Sequence, residues 1–502
     1  MPHSPSDPHQ PAQGVISAST RSAVPGQRQF PYNPCVLMLL ETAFPPDSRV
    51  KREARALVEA GYDVVLCCSK AHAKQADQEI IEGIQVLRFN PATAPITLTL
   101  LGGKLKVKTP ASGLLGLAKT LHKWGNKLHR QHFGIEQAWA EKIAGLIKQL
   151  QPAVVHVHDL KLLPTTLTVL ANHPTIKVVS DLHENYPALL AFLTEQRKGK
   201  QAAEKKRAYW HSHEANYLPL VNHVITVAPE AKTRLANTIE GLHPERITVL
   251  ENVMDMAHPP NHIADPATRQ RYDYLKDILQ NRFVVGYIGY INNRHRGLHT
   301  VIEAMGLIKA QLAPKPFTMA LLAAGGQRPA YVNDVLKPLI EQYNLQSDVL
   351  FTDFLDAEAF GPFIQLADVC VCPHIKTELT DTTFPNKVYL YGYYQKPLLA
   401  SDCAPLKRYV EETHAGLCFA SEDPKDCAVQ LLKLYTDEAL RFSMAQDGHQ
   451  AVTAQYNWGQ EKIKLLSLYS ELCPQTPRPS RSTSQPAEAP TTGQTRQPVK
   501  PV

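Results

Sequence analysis

Three stretches of this 502-residue chain end an apolar run on side chains able to do chemistry. In "VVHVHDLKLLP", His156 and His158 alternate with Val155 and Val157, so both imidazoles share one strand face and Asp159 lies at the tip. That trio fits a metal half-site, core histidines satisfied by backbone groups, or a substrate-facing His158 at a cleft. "SDLHENYP" follows one strand later, and Asp181, His183 and Glu184 at its end strengthen the case for a polar cleft wall. In "GYIGYINNRHRGLHTVIEAM" a strand runs into a loop carrying Arg294 and Arg296 before Gly297 opens a helix. Two guanidinium groups there suit a diphosphate, or they are solvated loop arginines. In "DTTFPNKVYLYGYYQKPLLASD", Asp381, Thr382 or Thr383 would cap a helix beginning near Pro385. Its N-terminus, with Lys387 close by, would be a second anion site, or the residues only cap.

Those stretches need strands and helices to hold them. Apolar runs of strand length, "CVLMLL", "DVVLCCS", "IQVLRF", "AVVHVHD", "IKVVSD" and "HVITVA", alternate with amphipathic patterns such as "SRVKREARALVEAGY". After an irregular stretch the alternation restarts with "FVVGYIG", "FTMALLAAG", "VLFTDF", "DVCVCP", "PLLAS" and "GLCFA". An α/β chain with two doubly wound parallel sheets follows, and a ligand between them would lie in the interdomain cleft. The expected boundaries are disordered tails over 1–30 and 474–502, an N-terminal domain over 31–255, a C-terminal domain over 256–455, and a last helix over 456–473.

Composition excludes several classes. The 44% hydrophobic and 20% charged content is that of a globular protein, and no run of about 18 apolar residues offers a membrane span. Nine scattered cysteines without a CxxC pair predict a reduced, cytoplasmic compartment. Cys370 and Cys372 face one side of a buried strand, a packing role rather than a metal site. No GxGxxG follows a strand and no GxxxxGK[ST] is present, so dinucleotide binding and P-loop ATP hydrolysis lack support. From Lys104 to Arg130 there are seven Lys or Arg and no Asp or Glu. Leucines and Trp124 recur there near helical spacing from Leu114 on. That pattern fits a helix on the anionic inner face of a membrane, or a solvated helix packed on its own domain. Few aromatic residues accompany it, so nucleic acid is not the expected partner.

Taken in order, "DSRVKREARALVEAGYDVVLC", "VVHVHDLKLLP", "VVSDLHENYP", "VITVAPEAKTRL" with "ITVLENVMD", "GYIGYINNRHRGL", "VLFTDFLDAEAFGPFIQLADVCVCP" and "FPNKVYLYGYYQKPLLASD" resemble the landmarks of the retaining GT-B glycosyltransferases of family four. The resemblance spans about residues 34 to 470. It implies a nucleotide-diphosphate sugar donor on the C-terminal domain, a glycan or lipid-linked acceptor on the N-terminal domain, and neither a cofactor nor a metal. Arg296 then matches the basic phosphate ligand and His158 the cleft histidine near the donor sugar, both catalytic. Gly289, Arg294, Thr382, Thr383, Asn386 and Lys387 join Arg296 around the donor, and Asp159, His183 and Glu184 line the acceptor side. Family members often return their last helix to the N-terminal domain, which "NWGQEKIKLLSLYSEL" could supply.

One departure stands out. The family commonly carries two glutamates eight positions apart, the second on the ribose hydroxyls, and here those positions are Thr382 and Leu390. Asp381 or Glu378 could compensate from a shifted loop. If neither does, two other readings open: a non-catalytic GT-B protein that binds a partner or glycan, or a sugar-nucleotide epimerase.

Overall fold

The computed structural model describes residues 33–45, 47–93, 95–100, 103–110 and 127–474, with the backbone alone described between 95 and 134. The expected tails, Pro474 apart, lie outside the described residues, as do positions 111–126 of the basic segment. The described backbone on either side of that gap is a strand before it and a helix, Lys127–Leu150, after it.

Among the described residues, ten strands precede residue 250: β1 Cys35–Ala43, β2 Asp63–Ser69, β3 Gln78–Ile81, β4 Ile84–Phe89, β5 Pro95–Leu100, β6 Gly103–Pro110, β7 Val154–His158, β8 Lys177–Asp181, β9 His223–Thr226 and β10 Ile247–Val249. Eight form one sheet in the order β10-β9-β8-β7-β1-β2-β4-β3, parallel except for the β3–β4 hairpin, and β5 and β6 pair only with each other. The second sheet holds β11 Phe283–Ile288, β12 Met319–Ala324, β13 Val349–Phe351, β14 Val369–Cys372, β15 Leu398–Ser401 and β16 Gly416–Phe419. Its order, β13-β12-β11-β14-β15-β16, is the doubly wound 3-2-1-4-5-6 arrangement, with the switch point between β11 and β14.

The unbroken apolar runs are explained by burial on both faces. In β1, Val36, Met38 and Leu40 enter one core while Leu37 and Leu39 enter another. In β14, Cys370 and Cys372 pack on one side and Val369 and Val371 on the other.

The helix Ser48–Glu59, capped by Asp47 whose side chain accepts from the amides of Arg49 and Val50, covers the β1 face that also carries His156 and His158. Onto it packs the last helix, Trp458–Leu472. Tyr469 meets Tyr62 edge-on at 5.6 Å between ring centroids, Arg52 lies over Trp458, and Lys462 pairs with Glu59. The last described helix therefore packs on the first sheet, although it follows the second in the chain.

Candidate functional site

A cleft of about 510 Å³ opens where the carboxyl ends of the two sheets face each other. On the second sheet, β11 ends at Ile288, and Gly289, Asn292, Asn293 and Arg296 follow in the loop that lines the cleft. Gly297 has a φ of 72°, and a Cβ there would lie 1.5 Å from the Pro373 carbonyl oxygen, so only glycine lets this loop turn against β14. From the other side of the switch point, the helix Lys387–Tyr393 contributes Lys387 and Leu390.

Lys387 reaches back beneath Gly289. Its Nζ is buried without a hydrogen-bond partner and lies 3.8 Å from the centroid of the Tyr287 ring. Burial lowers its pKa to about 7, and the charge of Arg296 adds to the effect. Arg296 has one contact, Nη1 to Nε2 of His374 at 3.4 Å, and its buried Nε has none. Burial, with Lys387 and Arg296 nearby, holds His374 neutral, well below the usual imidazole range. Two cations thus stand beside the cleft with donors unspent and no carboxylate among their contacts. An anion there would relieve both the repulsion and the desolvation.

The first sheet supplies the opposite wall. Asp181, at the end of β8, accepts from Arg49 through both oxygens, at 2.7 and 3.1 Å, and from His183 at 2.8 Å and His158 at 3.0 Å. Despite burial, Arg49 and the histidines hold Asp181 well below the usual carboxylate range. Against its own burial, the Asp181 carboxylate raises His183 to about 9. His156 stacks on His158 at 4.5 Å and meets the Tyr469 hydroxyl at 2.7 Å. Ligand atoms of Glu53, His156, His158 and Asp181 lie within 4.8 Å of one another, as a metal site would require. Arg49 fills that space with a positive charge of its own, 3.0 Å from Glu53 and bidentate on Asp181, which disfavours a metal cation.

The residues chosen from sequence fall into two sets. Gly289, Arg296, Thr383, Asn386 and Lys387 line the cleft, and His183 and Glu184 face them from the other wall. His158 does not: it is 1% exposed and lies at hydrogen-bond distance behind His183, so the imidazole that lines the cleft is the later one. Thr382 is buried, accepts from Asn185 at 3.1 Å and donates to the Glu378 carbonyl, which makes it a joint between lobes. Thr383 donates to the Leu379 carbonyl, so neither threonine caps the helix, which begins at Lys387 rather than near Pro385. Arg294 points outward, 58% exposed and 3.9 Å from Glu422. Asp159 lies off the cleft wall, in the turn after β7, with a φ of 60°.

Neither proposed substitute for a carboxylate at 390 is free. Asp381 accepts from the amide of Ala404, at the start of the helix Ala404–Thr413, and Glu378 pairs with Arg207 at 3.2 Å and His211 at 3.6 Å. Leu390 lines the cleft, as do the apolar side chains of Phe360, Ile288 and Phe384.

Hydrogen bonds to Glu214 and Glu378 raise His211 to about 9. A folded pKa above the ordinary 6.5 gives stability that is complete below that value and lost as pH rises through 9. Limited proteolysis should therefore show the lobes separating more readily at pH 9.5 than at pH 7, and His211→Gln should abolish the difference.

Two family models match this architecture. The model described as Glycosyltransferase Family 4 covers residues 116–258, and that described as Glycosyl transferases group 1 covers 282–437, together more than half of the chain. The chain belongs to the group 1, family 4 glycosyltransferases. A D-inositol 3-phosphate glycosyltransferase of Corynebacterium urealyticum is 24% identical over 193 residues, 38% of this chain and 43% of that protein, so less than half of that relative is matched. Among solved structures, the sucrose-phosphate synthase of Thermosynechococcus elongatus aligns with a TM-score of 0.62 at 18% identity, over 88% of this chain and 99% of the other. Anabaena HepE in complex with UDP-glucose aligns with a TM-score of 0.59 at 13% identity, over 88% and 100%. At these identities the likeness is one of fold, and this glycosyltransferase has the GT-B fold.

Proposed function

We propose that this glycosyltransferase moves a sugar from a nucleoside-diphosphate donor to a glycan or lipid-linked acceptor with retention of configuration. The observation that carries the reading is the pair Arg296 and Lys387, two cations with unspent donors at the switch point of the second sheet. A departing diphosphate gains negative charge on its leaving oxygen, and preorganised cations stabilise that charge more than they stabilise the bound donor. The remaining work is placement: the acceptor hydroxyl must approach on the face the diphosphate leaves, between His183 and Glu184 and the donor sugar. All nine cysteines are unpaired, which supports a cytoplasmic location. Among the described residues no helix is long and apolar enough to cross a membrane. Membrane contact through 104–130 is proposed as peripheral, and a charge-reversed segment should then leave acidic vesicles at low salt.

Leu390 favours a second reading, a GT-B protein that binds without catalysing, because its apolar side chain leaves a ribose without its hydrogen bonds. One experiment separates the two. UDP or GDP should raise the melting temperature of the wild-type chain, and Leu390→Glu should tighten that nucleotide about tenfold by restoring a charged acceptor for the hydroxyls. No shift with any nucleoside diphosphate, in either chain, would leave the binding-protein reading standing. Where transfer is seen, the anomeric configuration of the product tests retention.

A further inference from the structure

The strongest charge concentration among the described residues is not in the cleft. From Arg197 to Arg207, "RKGKQAAEKKR", six of eleven residues are Lys or Arg and one is acidic. The stretch joins the helices Tyr186–Lys198 and Lys200–Tyr217, a hairpin turning at Gly199, whose φ of 78° suits the turn. Between the two helices runs a groove of about 500 Å³, bordered by Arg197, Lys198, Lys205 and Lys206 over Leu190 and Leu193. No acidic residue lines it.

Three features set this groove apart from an ordinary solvated face. First, among the described residues none of its four cations has a carboxylate partner, whereas the next residue, Arg207, pairs with both Glu204 and Glu378. Second, the cations crowd one another: burial lowers the Lys206 pKa, and the charges of Lys161 and Lys198 lower it further. Third, the groove borders the cleft, because Leu193, 40% exposed, lines both. A ligand whose anion sat in the groove would have the cleft next to it, across Leu193. The floor is apolar and open to solvent, and Tyr209, 50% exposed, extends the apolar surface along the second helix. A soluble phosphate ester would use the charge and leave the leucines wet; an amphiphile uses both.

We propose that the acceptor is a phosphorylated lipid, its phosphate held by Arg197, Lys198, Lys205 and Lys206, its chain lying on Leu190 and Leu193, and its hydroxylated end reaching the cleft past Leu193. This rests on the transferase reading for the direction in which the acceptor points. The groove binds the same head group whether or not a donor is present.

The test is sedimentation of the full chain with phosphatidylcholine vesicles, with and without phosphatidic acid, beside a nucleotide thermal shift on the same samples. A basic residue at an anionic surface contributes about fivefold to partitioning. Arg197→Gln/Lys198→Gln/Lys205→Gln should therefore weaken binding to the acidic vesicles about a hundredfold while leaving the UDP shift unchanged. Lys206 stays because its ammonium lies 5.4 Å from the centroid of the half-buried hairpin's Trp210 ring and contributes to its packing. Leu193→Asn, with the charges intact, should weaken binding to vesicles and not to free glycerol 3-phosphate. Equal sedimentation of wild type and triple variant overturns the proposal, as does failure of the wild type to bind acidic vesicles. Displacement of the wild type from vesicles by glycerol 3-phosphate at matched phosphate concentration overturns the lipid and points to a soluble phosphate ester. A wild type that binds vesicles but shows no nucleotide shift counts against the transferase reading alone.

Discussion

Arg296→Ala should lower transfer about a hundredfold to a thousandfold, the usual effect of removing one preorganised donor from a developing negative charge. The loss should fall mainly on kcat, because the leaving diphosphate carries more charge in the transition state than in the bound donor. Lys387→Met should act in the same direction and carry its own signature. The ammonium has a folded pKa of about 7, below its ordinary 10.5. Holding the charge therefore costs the free protein stability, increasingly as pH falls from 10.5 through 7. Removing it should keep or raise the melting temperature while nucleotide binding falls, a combination that a misfolded variant cannot give. Above pH 7 the free lysine is largely neutral and must take up a proton to meet a diphosphate. Wild-type UDP affinity should thus weaken by up to about tenfold per pH unit there, and calorimetry on Lys387→Met should show that slope abolished. A wild-type affinity independent of pH from 7 to 9 would remove Lys387 from the diphosphate.

Much of the fold is legible because its central strands are buried on both faces. Each run read as a strand, from "CVLMLL" to "GLCFA", falls on a strand of the two sheets. What escapes is peripheral. β3 is a four-residue antiparallel edge that is mostly exposed, β10 has three residues, and the lysine-alternating sequence of β6 reads more readily as a basic segment than as half of a hairpin. The site was legible in part for a related reason. Arg296 lies in the loop that follows β11, and Lys387 opens the helix that follows "DTTFPN", so each could be placed by its element. His158 could not be told from His183 by pattern: β7 and β8 end level, with His158 in register with Asp181, and it is His183, two residues past the end of β8, that reaches the cleft. Thr382 and Asp381 read as caps of the helix at Lys387 because capping residues also serve as joints and as acceptors for other helices. Only their partners separate the roles: Asn185 makes Thr382 a joint between lobes, and the Ala404 amide places Asp381 at the start of a different helix.

Of the Asp181 network, sequence showed only the strand-end groups His156, His158, Asp181 and His183; Arg49, Glu53 and Tyr469 come from distant segments and carried no signal. Its central residue carries the largest stability prediction. Arg49 is 4% exposed and also donates to the Leu250 carbonyl at 2.8 Å, so it ties the first helix to the end of β8 and to the chain beyond β10. Arg49→Met would keep the volume and leave Asp181 and Glu53 buried without their cation, at a cost of about 3–5 kcal/mol. Burial and the nearby Asp181 charge already raise Glu53 to about 7. Between its ordinary 4.5 and 7 the folded protein holds a proton that the unfolded chain has released, so Glu53 makes the fold less stable as pH rises through that window. Asp181 works the other way: its folded pKa is depressed, and its contribution is present above the ordinary carboxylate value and lost as pH falls below it. Without Arg49 the depression of Asp181 shrinks to what His158 and His183 sustain, and both carboxyls shift toward the protonated form. The deficit of Arg49→Met should therefore be greatest near pH 8 and shrink toward pH 5, as seen in denaturant midpoints of wild type and variant measured in parallel. Glu53→Gln in the same background should recover part of the loss at pH 8 and little at pH 5. A deficit that stays constant with pH would assign Arg49 a packing role, with the carboxylates neutral throughout.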